Sequence, residues 1–294
     1  GLYVLVDEAH GAHLAFHEKL PPHALSLGAD CVAQSTHKLI GSLTQTSMLH
    51  CQKGFPYVDA VAKAMHLVQS TSPHYWFLAS LDAARQQMAL EGHDLEERTL
   101  LLARMVRREI ASIPGLACFS KEDICQYDGV AYLDETKLTI SFAGLGLSGA
   151  EAEVLLRKEG IEVDLTAGNH VLALMTIGDS METAMALVEA CRTIAQHYDL
   201  VVPKTAPSLP LPVPKVVVTP RDAWFGQYED IPFSMAKGRI SAETVTFYPP
   251  GIPIVAVGEE ITDHVLSYMT EKRAQGYEAN GAHDKQLGTL RVLV

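Results

Sequence analysis

Two residues in this chain could begin cofactor chemistry, Asp7 and Lys38. A hydrophobic run, Leu2-Tyr3-Val4-Leu5-Val6, ends in Asp7, and after a histidine-rich loop comes Gln34-Ser35-Thr36-His37-Lys38. An acid at the carboxyl end of a buried strand, followed by one lysine in a Ser-Thr-His-Lys turn, meets the needs of pyridoxal phosphate (PLP). The lysine amine would form a Schiff base with the cofactor aldehyde. The aspartate would keep the pyridine nitrogen protonated, so that the ring accepts electrons. Open α/β sheets gather ligand-binding groups at the carboxyl ends of their strands. Asp7 falls there, and Lys38, after a second strand, should emerge at the same edge. The hydroxyls of Ser35 and Thr36 and the imidazole of His37 can donate to a phosphate dianion beside the lysine.

The elements that must position these residues follow from the pattern of the chain. Residues 2–6 read as a strand, with further strands at 30–34 and 47–51. Ser70-Thr71-Ser72-Pro73 reads as the cap of a following helix, with Pro73 just inside its start. Residues 74–91 carry helical spacing (Trp76, Leu78, Leu81, Met88) and stop at Gly92. A second helix, 95–112, ends at Pro114-Gly115 and reads as a connector to a smaller domain. Beyond 115 the pattern alternates: strands at 138–142, 161–165 and 171–177, a Ser148-to-Glu151 capping box opening a helix over 150–159, and a helix from Ser180 to about Tyr198 with apolar residues at 184, 187, 188, 191 and 194. Six prolines from Pro203 to Pro220 predict a stiff extended linker. The last part contains the turn Tyr248-Pro249-Pro250-Gly251-Ile252-Pro253, a strand at 254–257 and a helix at 260–274. The expected organisation is residues 1–94 as part of a PLP-binding large domain, 95–202 as connector helix and small α+β domain, 203–220 as linker, and 221–294 as a C-terminal α+β domain.

Composition narrows the function. With 294 residues, 48% of them hydrophobic, the chain can bury a sizeable core and has room for more than one domain. The 23 basic and 35 acidic residues give a formal charge of −12, which argues against a partner in nucleic acid and suits a cationic substrate. No apolar stretch is long enough for a membrane helix. Five cysteines without a CxxC pair read as reduced thiols, and cytoplasmic residence is expected. The first residue is Gly, and the opening run reads as an interior strand without sheet neighbours. The chain is therefore expected to be the C-terminal portion of a longer protein.

Asp7-Glu8-Ala9-His10-Gly11-Ala12-His13, Gln34-Ser35-Thr36-His37-Lys38, Ser70-Thr71-Ser72-Pro73 and Tyr248-Pro249-Pro250-Gly251-Ile252-Pro253 together resemble the bacterial ornithine/lysine/arginine decarboxylases. These are PLP enzymes of fold type I, the aminotransferase-like fold. The likeness is greatest to the compact arginine/lysine decarboxylase branch of Gram-positive bacteria, and it runs through the whole chain. It implies an α/β large domain, here truncated at its N-terminus, followed by the small and C-terminal α+β domains. The resemblance implies that Asp7 pairs with the pyridine nitrogen, that Ala9 packs on one ring face, and that Lys38 holds the cofactor. It implies that Ser35 and His37 lie near the phosphate, that His10 assists proton return, and that Thr71 and Ser72 reach the phosphate of a neighbouring subunit's cofactor. A homodimer or larger assembly follows. The family's Gly-Ser/Thr phosphate loop and its ring-stacking histidine would precede residue 1. The implied reaction is decarboxylation of a basic amino acid, arginine before lysine before ornithine, to agmatine or a diamine in polyamine metabolism. Glu243 is the candidate carboxylate for the cationic substrate tail.

Other readings are weaker. Asp7-Glu8-Ala9-His10 also spells a helicase DEAH box, but no GxxxxGK[ST] loop accompanies it. His10, His13 and His17 have metal-ligand spacing if helical, yet Gly11 argues against a rigid helix, and no metal is expected. An α-oxoamine synthase would follow its lysine with a glycine-rich turn, and here Leu39-Ile40-Gly41-Ser42 follows. An aminotransferase needs an arginine for the substrate carboxylate, and neither Arg157 nor Arg192 is placed for it. A catalytically incomplete fragment that only dimerises is the non-enzymatic alternative.

Overall fold

The computed structural model describes residues 1–203, 209–248 and 251–294. The chain divides into two compact units, Gly1–Pro203 and Lys204–Val294.

The first unit opens with a three-stranded sheet of β1 (Leu5–Asp7), β2 (Cys31–Gln34) and β3 (Met48–Cys51), in the order β1-β2-β3. β1 runs parallel to β2, with Asp7 opposite Ala33, and β3 is antiparallel. The opening strand is shorter than its hydrophobic run suggests. Pairing begins at Leu5, while Leu2, Tyr3, Val4 and Leu5 are exposed and not interior. Cys31 and Cys51 face each other across β2 and β3 as free thiols. One short helix, α1 (Thr36–Leu39), follows β2, and α2 (Val58–Val68) follows β3.

The expected pair of helices over 74–112 is one continuous helix, α3 (Tyr75–Ala111). Gly92 does not stop it. A Cβ at Gly92 would come within 3.1–3.2 Å of the Phe16 side chain, so the glycine admits close approach of the loop. The expected boundary between 94 and 95 falls inside this helix. Its N-cap is His74, without a side-chain cap, so Pro73 precedes the helix and does not enter it. The helix ends where expected, at Ser112 before Pro114.

The second sheet of this unit is antiparallel, in the order β4-β5-β7-β6: β4 (Ala117–Cys118), β5 (Lys137–Ser141), β6 (Leu165–Ala167) and β7 (His170–Leu174). α4 (Lys121–Ile124), α5 (Gly149–Lys158) and α6 (Met181–Ala195) complete it. The Ser148–Glu151 capping box starts α5 as its spacing predicts. Residues 161–164 are not a strand; pairing there begins at Leu165, in a hairpin turned by Gly168 and Asn169. Period two in β5 buries Leu138 and Ile140, period 3.6 in α6 buries Ala184, Leu187, Val188, Cys191 and Ile194, and both faces meet Val106 and Ile110 of α3. Each such large side chain contributes about 1.5–3 kcal/mol on burial.

The second unit contains α7 (Pro220–Trp224), β8 (Tyr228–Pro232), β9 (Val245–Phe247), β10 (Pro253–Val255), α8 (Asp263–Ala274), β11 (Ala279–Asn280) and β12 (Thr289–Leu293). β8 pairs with β12, and β9 lies between β10 and β11. Val245, Phe247, Val265, Met269 and Leu290 form its core. Part of the proline-rich linker, and Pro249-Pro250 of the turn, lie outside the described residues. Residues 215–218 do not behave as a free linker, because Val217 and Val218 both donate their amides to the Gly258 carbonyl.

Candidate active site

Parallel pairing of β1 and β2 delivers both carboxyl ends to one sheet edge. Asp7 ends β1, and β2 ends at Gln34, followed by Ser35 at the N-cap of α1. Backbone bonds join the two loops beyond: Glu8 N–H donates to the Ala33 carbonyl at 2.9 Å, and Ser35 N–H to the Ala9 carbonyl at 3.3 Å. One turn of helix lifts Lys38 towards the first loop, where its Nζ lies 3.1 Å from His10 Nε2.

Glu8 acts as a tie between these loops. Its carboxylate accepts from Gln34 Nε2 at 2.6 Å and from the Ala24 amide at 2.8 Å, while Gln34 Nε2 also donates to the Gly11 carbonyl. Asp7 is exposed and accepts the Ala9 amide on Oδ1 at 3.1 Å, which fixes the carboxylate and leaves Oδ2 to meet a ring N–H. His37 Nδ1 donates to the Thr46 carbonyl at 2.6 Å, which holds the lysine turn against the 42–46 loop. The donor set therefore fits PLP: an accessible lysine, an oriented carboxylate at the same edge, and the small Ala9 tied by its backbone to both loops.

Burial, the nearby Lys137 and then Lys38 push the His10 imidazole below its ordinary range. A neutral ring with a lone pair on Nε2 can accept a hydrogen bond from the lysine nitrogen and so orient it.

Sequence reading missed the charged group behind His10. His13 Nε2 pairs with Asp134 Oδ2 at 3.0 Å, and Lys137 Nζ lies 3.4 Å from the same oxygen. Burial alone would raise the Asp134 carboxyl, but the His13 hydrogen bond and charge, with Lys137 and Thr136, hold it well below the usual carboxylate range. Arg107, buried on α3, donates to the carbonyls of Phe119, Glu135 and Lys137 and so fixes the start of β5. Glu96 on α3 is 1% exposed. Burial first, then Asp134, pushes its carboxyl up to about 7 against the opposing charge of Lys137. No periodicity links residue 13 with 96, 134 and 137. Only an acid and a base at buried helix and strand positions hinted at them.

The remaining sequence candidates lie elsewhere. Thr71 and Ser72 are exposed between α2 and α3, with Ser72 N–H donating to Ser70 Oγ. Glu243 is in the second unit and is 7% exposed. Its oxygens accept the backbone amides of Arg291 at 2.7 Å and His283 at 2.5 Å. Both oxygens are thus engaged by backbone amides, one on β12 and one in the loop before it, so the expectation of a substrate-facing carboxylate gives way to a structural role. His10, His13 and His17 form no common cluster, because each ring has a different partner.

Sheet edge, lysine turn and the mixed α/β first unit define the fold as PLP fold type I. Lysine decarboxylase A from Pseudomonas aeruginosa shares it over 99% of this chain and 53% of its own, with a TM-score of 0.80 at 21% identity. The Francisella novicida lysine decarboxylase does so with a TM-score of 0.77 at 19% identity, covering 99% of this chain and 53% of its own. Residues 1–183 match the model of the Orn/Lys/Arg decarboxylase major domain, and residues 205–284 match that family's C-terminal domain. The chain belongs to the Orn/Lys/Arg decarboxylase family. It is 43% identical to an arginine decarboxylase of Bacillus subtilis and 41% identical to one of Halalkalibacterium halodurans, each over 99% of this chain. The chain spans 60% of the length of either relative.

Proposed function

We propose that this chain carries the lysine-bearing part of a PLP-dependent decarboxylase of basic amino acids, taking arginine before lysine before ornithine and releasing agmatine or a diamine for polyamine metabolism. The observation that carries this reading is the meeting of Asp7, His10 and Lys38 at one sheet edge, with Lys38 Nζ 3.1 Å from His10 Nε2. The arginine preference rests on the two relatives named arginine decarboxylase. When bound, PLP supplies an electron-accepting ring for the pair left behind as carbon dioxide departs.

The chain's own residues perform the rest. His10 Nε2 accepts a hydrogen bond from Lys38 Nζ, which orients that amine, and His10 would assist return of a proton to the carbon that lost its carboxylate. Asp7 Oδ2 would pair with the pyridine nitrogen of bound PLP and keep its proton in place. Ala9 leaves room for a ring face. Ser35 and His37 would hold the phosphate, and Thr71 and Ser72 would serve the neighbouring subunit's cofactor in a homodimer or larger assembly in the cytoplasm. The exposed apolar side chains Leu67, Val68, Tyr75 and Trp76 flank Thr71 and Ser72 and support a subunit contact there. Among the described residues no helix is long and apolar enough to cross a membrane.

The test is to incubate the protein with PLP, reduce with borohydride and map the modified peptide by mass spectrometry, with Lys38→Ala as control. A pyridoxyl label on Lys38 that is lost in the variant is expected, with carbon dioxide release ranked arginine, lysine, ornithine. Label scattered over surface lysines in both proteins would refute the cofactor site.

A further inference from the structure

Among the described residues, one group of metal-ligating side chains lies apart from the candidate active site. His17, its neighbour Glu18, and His93 on α3 each bring a ligand atom to within 4.8 Å of the others. Glu18 Oε2 stands 3.3 Å from His93 Nε2 and 3.9 Å from His17 Nδ1. The two imidazoles stack with centroids 4.6 Å apart. Ligands held at 2.0–2.2 Å around a tetrahedral zinc are about 3.3–3.6 Å from each other, so the Glu18–His93 separation is already that of two ligands, and the other pairs must draw closer on binding.

Two further observations distinguish this group from a chance meeting of surface residues. The Lys19 amide donates to His17 Nδ1 at 3.1 Å, so the lone pair of that buried ring sits on Nδ1, the nitrogen on the Glu18 side, and its proton on Nε2. In addition, each ring turns its other nitrogen to a carboxylate. His17 Nε2 is 2.9 Å from Glu97 Oε2, and His93 Nδ1 is 3.4 Å from Asp94 Oδ1. His17 Nε2 has no hydrogen-bond partner among the described residues, so Glu97 acts on that ring through its charge, while a carboxylate hydrogen-bonded to the far nitrogen, as Asp94 is at His93, raises the basicity of a metal-bound imidazole. Lys19 Nζ, 2.8 Å from both Glu97 oxygens, neutralises that outer carboxylate and leaves Glu18 as the anionic ligand.

We propose that His17 Nδ1, His93 Nε2 and Glu18 Oε2 bind one divalent cation of the zinc class and so pin the loop that follows His13 to α3. Two imidazoles and one carboxylate favour zinc, cobalt or nickel over magnesium or calcium. The exposed Glu18 and His93 close on the cation by side-chain rotation, and the Lys19 amide gives up its bond to Nδ1. A fourth position is left for water. The site is distinct from the His10-His13-His17 set suggested by spacing: it uses one of those three residues, and its second histidine comes from α3.

The experiment uses the full chain, without a histidine tag, dialysed against chelator and titrated with Co²⁺ and with Zn²⁺. Wild type is set beside His93→Ala, Glu18→Gln and, as control, His66→Ala on the exposed face of α2. We expect one equivalent of cobalt with visible d–d bands and no thiolate charge-transfer band, and affinity at least about tenfold weaker in the two site variants but unchanged in the control. Zinc should raise the melting temperature of wild type and of the control alone. No uptake, equal uptake by His93→Ala, or a thiolate band assigning the metal to cysteines would overturn the site.

Discussion

Glu96→Gln tests the buried charge group behind the candidate active site. Glu96 is 1% exposed, its Oε1 has no hydrogen-bond partner among the described residues, and Asp134 and Lys137 are the charged groups that act on it, with His13 paired to Asp134. Its carboxyl titrates at about 7 in the fold against an ordinary 4.5. The folded chain therefore holds a proton that the unfolded chain has already released, and stability falls as pH rises through that interval. At about 1.4 kcal/mol per tenfold change, ionising this group in the fold costs about 3–4 kcal/mol, of which about 2–3 kcal/mol falls between pH 5 and pH 8. Glutamine keeps the shape without the charge. Urea unfolding at pH 5 and pH 8 should give wild type a loss that exceeds the loss of Glu96→Gln by about 2–3 kcal/mol. Every other titrating group is common to both proteins, so the difference between the two losses isolates Glu96. Equal losses in the two proteins, or a Gln variant less stable than wild type at pH 8, would show that the carboxylate is not destabilised by its surroundings.

Glu243→Ala should strand the backbone amides of His283 and Arg291, lowering the stability of the second unit by about 2–4 kcal/mol, read from its unfolding transition. Glu243→Gln, which keeps an acceptor for one amide, should lose less. Gly149→Ala would put a Cβ 2.2 Å from the His170 carbonyl oxygen, a backbone atom, so the start of α5 must shift. A loss of about 1–3 kcal/mol in urea unfolding is expected, and an unchanged midpoint would contradict the close approach.

Local signals in the sequence were reliable where local chemistry decides structure. Ser148 and Glu151 marked the start of α5, alternation marked β5, and the 3.6-residue spacing marked the buried face of α6. Asp7 and Lys38 were readable because both follow strands, and parallel pairing makes following a strand equivalent to sharing an edge. Gly92 misled because the same residue type serves to end a helix and to admit a neighbour, and only Phe16, distant in sequence, distinguishes the two. Glu243 misled in a related way. A glutamate letter does not record that two backbone amides already occupy it. The groups around Asp134, and those around His17 and His93, join segments more than seventy positions apart, beyond any periodic pattern.

The continuous α3 has a mechanical consequence. Thirty-seven residues make a rod about 55 Å long. Near one end Ser80 Oγ receives the Leu43 amide, just beyond the lysine turn, and near the other Arg107 grips the carbonyls around β5. Swung about one end, such a lever displaces the other by about 1 Å for each degree of tilt. Displacements of about that size are enough to spoil a catalytic alignment. The angular tolerance of this rod thus limits how far the lysine-bearing sheet and the small sheet can drift apart, a constraint that two helices hinged at Gly92 would not impose.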